Sequence, residues 1–344
     1  MLNNKKKENK KKLPFVSVCT PTFNRRPFIP YMIKCFEHQT YPKDRIEWII
    51  IDDGTDPIED LVKHIPQVKY YYYEKKMILG KKRNLMHTMC SGDIIIYMDD
   101  DDYYPPERIS HAVEILQKNP EYLIAGSSEM HIYFDSKKMI YQCGPYKENH
   151  STAATFAFKK ELLNQTKYDE NNALSEERYF LKKYTIPLIQ LDSLKSILVF
   201  SHKHNSLNKE KLLEKPLESK VTVSRYNVDD FIKDPELKKF YMNDMNNVLE
   251  NYQPGRPENK PIVIEQIKKM EEEREKKIAE MKNNMETQKK IFDIFRSSPS
   301  SSGTDIETMR REYEKKIEDK NYLINELLKK IKALTIELDE YKSK

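Results

Sequence analysis

Three short apolar runs in this chain stop abruptly at acids or turn formers. Residues 15–19 (FVSVC) run into Thr20-Pro21-Thr22-Phe23-Asn24. Residues 48–51 (WIII) halt at Asp52-Asp53-Gly54-Thr55, and residues 94–98 (IIIYM) halt at four consecutive aspartates, Asp99 to Asp102. Short β-branched runs bounded by turn residues read as buried strands, and 68–73 adds another. Between them, Ile29, Ile33 and Phe36 recur at helical spacing and predict a helix over 28–38; a second is expected over 80–90. Pro105-Pro106 open a third, over 106–118, because a proline in the first turn gives up only an N–H that has no partner there. Strands alternating with helices imply βαβ units and a mixed, mainly parallel sheet flanked by helices, an α/β fold.

Beyond residue 118 the rhythm changes. Close-set strands at 122–127, 130–134 and 139–143 suggest antiparallel pairing. Helical stretches follow at 159–165 and 175–184, then strands at 188–191 and 197–200, and residues 207–255 read as polar helices on the domain edge. From Ile262 the composition turns to Lys, Glu and Met in helical charge patterning, and Ser297 to Gly303 (SSPSSSG) is a flexible break. After it Ile317, Ile324, Ile331 and Leu338 recur every seven residues, with Tyr313, Lys320, Leu327, Leu334 and Tyr341 at the d positions. Isoleucine at a with leucine at d favours a parallel two-stranded coiled coil, hence a homodimer. The expected organisation is a lysine-rich disordered head (1–13), an α/β domain (14–255), a charged helical extension (256–296), a Ser-rich linker (297–304) and a coiled coil (305–344).

Charge changes this picture little. The net charge of the 344 residues is +5, and residues 1–12, with six lysines and one glutamate, account for all of it. The body is therefore near neutral and shows no footprint for nucleic acid. With only seven glycines and neither GxGxxG nor GxxxxGK[ST], a glycine-rich phosphate cradle is not expected. The four cysteines have no CxxC spacing and suit reduced core thiols. No apolar run approaches the ~20 residues of a membrane span, and no signal-peptide core begins the chain. A cytoplasmic, soluble protein is expected.

The chemistry gathers where the strands end. Open α/β sheets bind ligands at the carboxyl ends of their strands, where Asp52-Asp53 and Asp99–Asp102 fall. Adjacent carboxylates repel one another unless a cation sits among them, so a hard divalent ion carrying a phosphate-containing ligand is the economical reading. Leu79-Gly80-Lys81-Lys82-Arg83-Asn84 lies between the two acidic ends and begins a helix; helix N-termini and arginine both favour a diphosphate.

In this order, VSVCTPTFNR, EWIIIDDGT, GKKRN and GDIIIYMDDDDYYPPERI resemble an inverting family 2 glycosyltransferase of GT-A fold, over about residues 15–205. The resemblance implies that Pro21 and Thr22 line the nucleotide pocket, that Asp53 meets the base or ribose, and that Arg83 lies by the nucleotide. It makes Asp100 the nucleotide-side acid and Asp101 the metal ligand of the DxD motif, with Asp99 and Asp102 open through a one-residue register. Leu174-Ser175-Glu176-Glu177 resembles the segment holding the catalytic base, which leaves Glu177 or Glu176, with Glu177 preferred. His202 and His204 match a late histidine that touches metal or diphosphate, His202 fitting the spacing better. His150 and Thr152 are expected to border the acceptor.

The implied reaction is transfer of a sugar from a nucleotide-sugar, a UDP-sugar first, to a hydroxyl acceptor, with Mn²⁺ or Mg²⁺. One rival is a nucleotidyltransferase, which would need a basic triphosphate loop and has only Arg25-Arg26 to offer. The other is a catalytically inactive scaffold working through its coiled coil.

Overall fold

The computed structural model describes residues 13–174, 176–214 and 220–297, together with residue 315. The lysine-rich head up to residue 12, the Ser-rich linker from 298 and the heptad segment lie outside the described residues. The chain divides into a unit ending at Glu271 and a second beginning at Glu272.

The first unit is built on a seven-stranded sheet. β1 (Val16–Thr22) pairs in parallel with β2 (Ile46–Asp52) and with β4 (Ile94–Tyr97), and β2 pairs in parallel with β3 (Val68–Tyr72). Beyond β4 come β8 (Ala157–Lys159), antiparallel, then β5 (Ile124–Gly126) and β9 (Ile189–Gln190). The continuous apolar runs have a direct cause. Trp48 and Ile50 join one core while Ile49 and Ile51 join another, so neighbouring residues of β2 are buried on opposite faces. Helices α1 (Ile29–Glu37), α2 (Glu59–Val62) and α4 (Arg108–Lys118) cover the first face, where Phe36 stacks on Trp48 at 4.2 Å. α3 (Leu79–Met89) covers the second through Met86. All four cysteines are free and buried. The expectation of a mixed, mainly parallel sheet between helices holds.

Several expectations change. The 122–127 strand does not pair with its successors; its core, β5, joins the large sheet beside β8, a three-residue strand too short to alternate. β6 (Met130–Phe134) and β7 (Met139–Cys143) are antiparallel as expected, within a second sheet ordered β10-β6-β7-β11. There β10 is Leu198–Ser201 and β11 is Val221–Val223. The helix expected over 175–184 is the single turn Glu177–Phe180, stopped by positive φ at Lys182, Lys183 and Tyr184 (48°, 58° and 66°). Residues 207–255 are not an edge. Phe231, Leu237, Phe240, Tyr241, Met245 and Leu249 are buried in the main core, spaced widely enough to hide among polar neighbours.

After residue 251 the chain crosses back over the first unit. The helix Pro261–Ser297 opens with Val263 and Ile267 packed on Ile78, Ala173 and Leu174. In the second unit, Ile278, Met281 and Met285 of this helix are exposed. No helix among the described residues is long and apolar enough to cross a membrane.

Candidate active site

A cleft of about 190 Å³ opens at the carboxyl ends of β1 and β4. Pro21, Thr22, Phe23 and Arg25 form one wall, Asp99, Asp100 and Asp101 the floor, and Lys82 and Arg83 of α3 another wall. Two sequence features hold the walls at this spacing. Asn24 adopts φ 53°, a conformation asparagine tolerates, and its Oδ1 accepts from the backbone N–H groups of Thr55 (2.7 Å) and Asp56 (3.1 Å). At the start of α3, a Cβ on Gly80 would lie 2.0 Å from the Asp169 carbonyl oxygen, so only glycine lets the 169–172 segment come this close.

The four aspartates separate. Asp101 Oδ2 lies 3.3 Å from His202 Nε2 and 3.3 Å from Arg25 Nη2. Burial opposes its charge, but the His202 hydrogen bond and Arg25 hold its carboxyl well below the usual range. Asp100, 3.6 Å from Arg25 Nε, is pushed up to about 7 by burial and by Asp101. Asp99 is raised by burial and sits 3.5 Å from Arg83 Nη2. Asp102 does not line the cleft. Its carboxylate accepts from the Phe200 N–H at 3.2 Å, and its carbonyl accepts from the Tyr241 hydroxyl at 2.9 Å. The turn sends it to β10, against its expected place among metal ligands.

The two histidines separate likewise. His202 is held beside Asp101, and burial lowers it to about 4, leaving a neutral ring. Neither histidine is part of the cleft lining itself; the His204 ring nitrogens have no partner among the described residues and its carbonyl accepts from Arg25 at 2.9 Å. Asp101 and His202 thus converge from two elements. One carboxylate and one neutral imidazole fit a divalent ion that completes its shell with phosphates and water. No group of three or more His, Cys, Asp or Glu side chains placed to hold a metal occurs among the described residues.

Arg83 is the hub of the other wall. Its guanidinium lies 4.3 Å from the Tyr97 ring centroid, its Nε meets Glu176 Oε1 at 3.2 Å, and its Nη1 has no partner among the described residues. Glu176 is thereby committed. Glu177 has no ion-pair partner among the described residues; burial, and then the Glu176 charge, push it up to about 7 against the pull of Arg83, and neither glutamate is part of the cleft lining itself. Asp53 stands behind the wall, accepting from Lys82 Nζ at 2.5 Å and from the Met77 N–H at 2.6 Å, so it acts on the cleft through Lys82. Lys82 also donates to the Thr22 carbonyl at 2.8 Å. His150 and Thr152 lie away from the cleft, the His150 ring between those of Tyr146 (4.7 Å) and Tyr184 (4.9 Å).

Sequence reasoning missed two cations. Lys76 lies 3.4 Å from the Phe23 ring centroid. Lys260, only 6% exposed, reaches the cleft from beyond residue 255 with Ile262 and Val263. Neither stands out in sequence from lysine-rich surroundings.

Residues 17–175 match the model of the glycosyl transferase family 2. This segment, just under half of the chain, is similar to the family 2 glycosyltransferases. A comparison with curated proteins gives no match. Among solved structures the domain is similar to S. aureus TarS 1–349 in complex with UDP-GlcNAc, at 19% identity and TM-score 0.44, covering 54% of this chain and 58% of that one. It is also similar to the mannosyltransferase PcManGT of Pyrobaculum calidifontis in complex with GDP-Man and Mn²⁺, at 18% identity and TM-score 0.45, covering 55% and 57%. The chain thus spans under two thirds of either structure. The family 2 match ends at the base-candidate segment, so Lys260 and its neighbours lie outside it.

Proposed function

We propose that this chain is a metal-dependent inverting glycosyltransferase, moving a sugar from a nucleotide-sugar, a UDP-sugar first, to a hydroxyl acceptor. One observation carries the reading. Five cationic side chains (Arg25, Lys76, Lys82, Arg83 and Lys260) surround three aspartates at the carboxyl ends of β1 and β4. Such a site suits a diphosphate presented with a cation.

In this reading Arg83 and Lys82 bind the donor, and Arg83 fixes Glu176. Glu177, which has no ion-pair partner among the described residues, takes the proton from the acceptor hydroxyl, so that a single displacement inverts the anomeric carbon. Asp101 and His202 would hold the divalent ion, which when bound neutralises the charge growing on the departing diphosphate. Alignment of donor and acceptor in one cleft contributes through proximity. The nucleotidyltransferase rival loses support from Arg26, which is engaged outside the cleft with Asp56 and Asp60 at 2.9 Å each.

Incubation with a panel of nucleotide-sugars and Mn²⁺, reading free nucleoside diphosphate, tests the proposal. Release of pyrophosphate from a nucleoside triphosphate and a sugar phosphate instead would overturn it. The heptads after Gly303 support, from sequence alone, a proposed parallel homodimer.

A further inference from the structure

The segment from Tyr252 to Ile267 is strapped across the cleft at both ends. At one end the Tyr252 hydroxyl donates to Asp56 Oδ2 at 2.8 Å, Asn24 Nδ2 donates to the Pro254 carbonyl at 2.9 Å, and Arg25 Nη1 donates to the Gly255 carbonyl at 3.2 Å. Gly255 is required there, because a Cβ would meet His204 Nδ1 at 2.7 Å and the Asn24 carbonyl oxygen at 2.8 Å. At the other end Gln266 bonds the backbone of Asn171 and Ala173, both at 2.8 Å. The strap therefore runs from the Asn24 turn to the stretch just before Glu176 and Glu177. Midway it places Lys260 in the cleft.

Two of the five cations, Lys260 and Lys76, have no carboxylate in ion-pair contact among the described residues; Lys76 rests on the Phe23 ring, and Lys260 is the more deeply buried of the two. Arg25 is occupied by Asp100 and Asp101, Lys82 by Asp53, and Arg83 by Glu176 and Asp99. Lys260 Nζ meets only the uncharged Ser206 hydroxyl, at 3.0 Å, and no carboxylate pairs with it among the described residues. A lysine buried without a paired anion holds its charge only at a cost, which an anion arriving with a ligand would remove. Its carboxylate neighbours at longer range are Asp101 and Asp100, whereas that of Lys76 is Asp53. Lys260 therefore belongs to the acid-rich end of the cleft, and Lys76 to the Phe23 end.

We propose that Lys260 binds the donor's diphosphate, carried there by a strap that lies outside the family 2 segment. This rests on the nucleotide-sugar reading. Seating the strap and binding the diphosphate then assist each other, since the ammonium gains its counter-charge only when both are in place. The bland alternative is that Lys260 merely pins the strap to Ser206.

Calorimetry on the full chain with Mn²⁺ separates these. UDP, GDP and the matching monophosphates are titrated into wild type, Lys260→Met and Lys260→Arg. Methionine keeps the buried stem and removes the charge. Loss of a charge-assisted contact predicts about 10- to 100-fold weaker diphosphate binding in Lys260→Met. The monophosphate should lose much less, and Lys260→Arg should recover most of the loss. An equal loss for both nucleotides, or none, overturns the proposal: the first outcome means that the lysine only holds the strap. Wild type that binds neither diphosphate brings down the nucleotide-sugar reading, and this proposal with it.

Discussion

Glu177→Gln is the substitution that the geometry constrains best. The glutamine is nearly isosteric and neutral, so it removes the proposed base and its charge together. Arg83 holds Glu176 at 3.2 Å, while burial and the Glu176 charge raise Glu177 to about 7. Removal of a general base should lower turnover by about 10²–10⁴ with donor affinity unchanged. The wild-type rate should rise with pH and level off above about 7, because the base works only when ionised. Stability should move the opposite way. A carboxyl whose folded value is about 7, against 4.5 for the free group, binds its proton more tightly in the fold. Its stabilising contribution is full below about 4.5 and is lost as the pH rises through about 7. The displacement corresponds to at most about 3 kcal/mol, and Glu177→Gln should lack it. Urea denaturation of both proteins at about pH 5 and about pH 8, taken as a double difference, isolates this term from every other titrating group. The reasoning fails if the variant keeps near wild-type turnover or if the double difference is zero. Glu176→Gln should instead weaken donor binding, by freeing Arg83; a dead Glu176→Gln beside an active Glu177→Gln would move the base by one residue.

Asp101→Asn should abolish the Mn²⁺-dependent part of UDP affinity and leave the circular dichroism spectrum unchanged; a variant that keeps the wild-type Mn²⁺ dependence would rule out Asp101 as the metal ligand. Gly80→Ala forces a Cβ to within 2.0 Å of the Asp169 carbonyl oxygen. It should cost about 2–4 kcal/mol, and a melting temperature equal to that of wild type would refute the close approach. Truncation before Ser298 should turn a dimer into a monomer with unchanged activity per chain. Sedimentation checks this, and a monomeric full-length protein would discard the coiled coil.

What could be read in the sequence follows from how the sheet is buried. β2 and β4 are covered on both faces, so Trp48–Ile51 and Ile94–Tyr97 have no polar alternation to blur them, and the acids that follow stand out against them. α1 and α4, covered on one face only, each show one clean apolar stripe. β8 was invisible because three residues between antiparallel neighbours carry no period. The core of 228–249 was hidden because one buried residue in three or four, among Asp, Lys and Asn, looks like a surface helix.

Within the cleft, sequence pointed to acids and basic residues at the strand ends and left the choice between like neighbours open. Asp101 and Asp102 are the same residue one position apart, yet the turn after β4 sends one to Arg25 and His202 and the other to the Phe200 N–H. Glu176 and Glu177 differ in the same way, by which of them Arg83 takes. Adjacent identical acids can be told apart only by their partners, and these partners come from 76 to 101 residues away along the chain. Lys260 is the extreme case. It precedes a long run of lysines and glutamates that looks like solvent-facing helix throughout, and only the bonds of Tyr252, Pro254, Gly255 and Gln266 to the first unit turn it inward. A charged residue in a charged tract carries no local sign of burial; its place depends on the anchors at either end. The strap is therefore the part of the site most open to change, since substitutions at those anchors could move Lys260 without touching any motif of the family 2 segment.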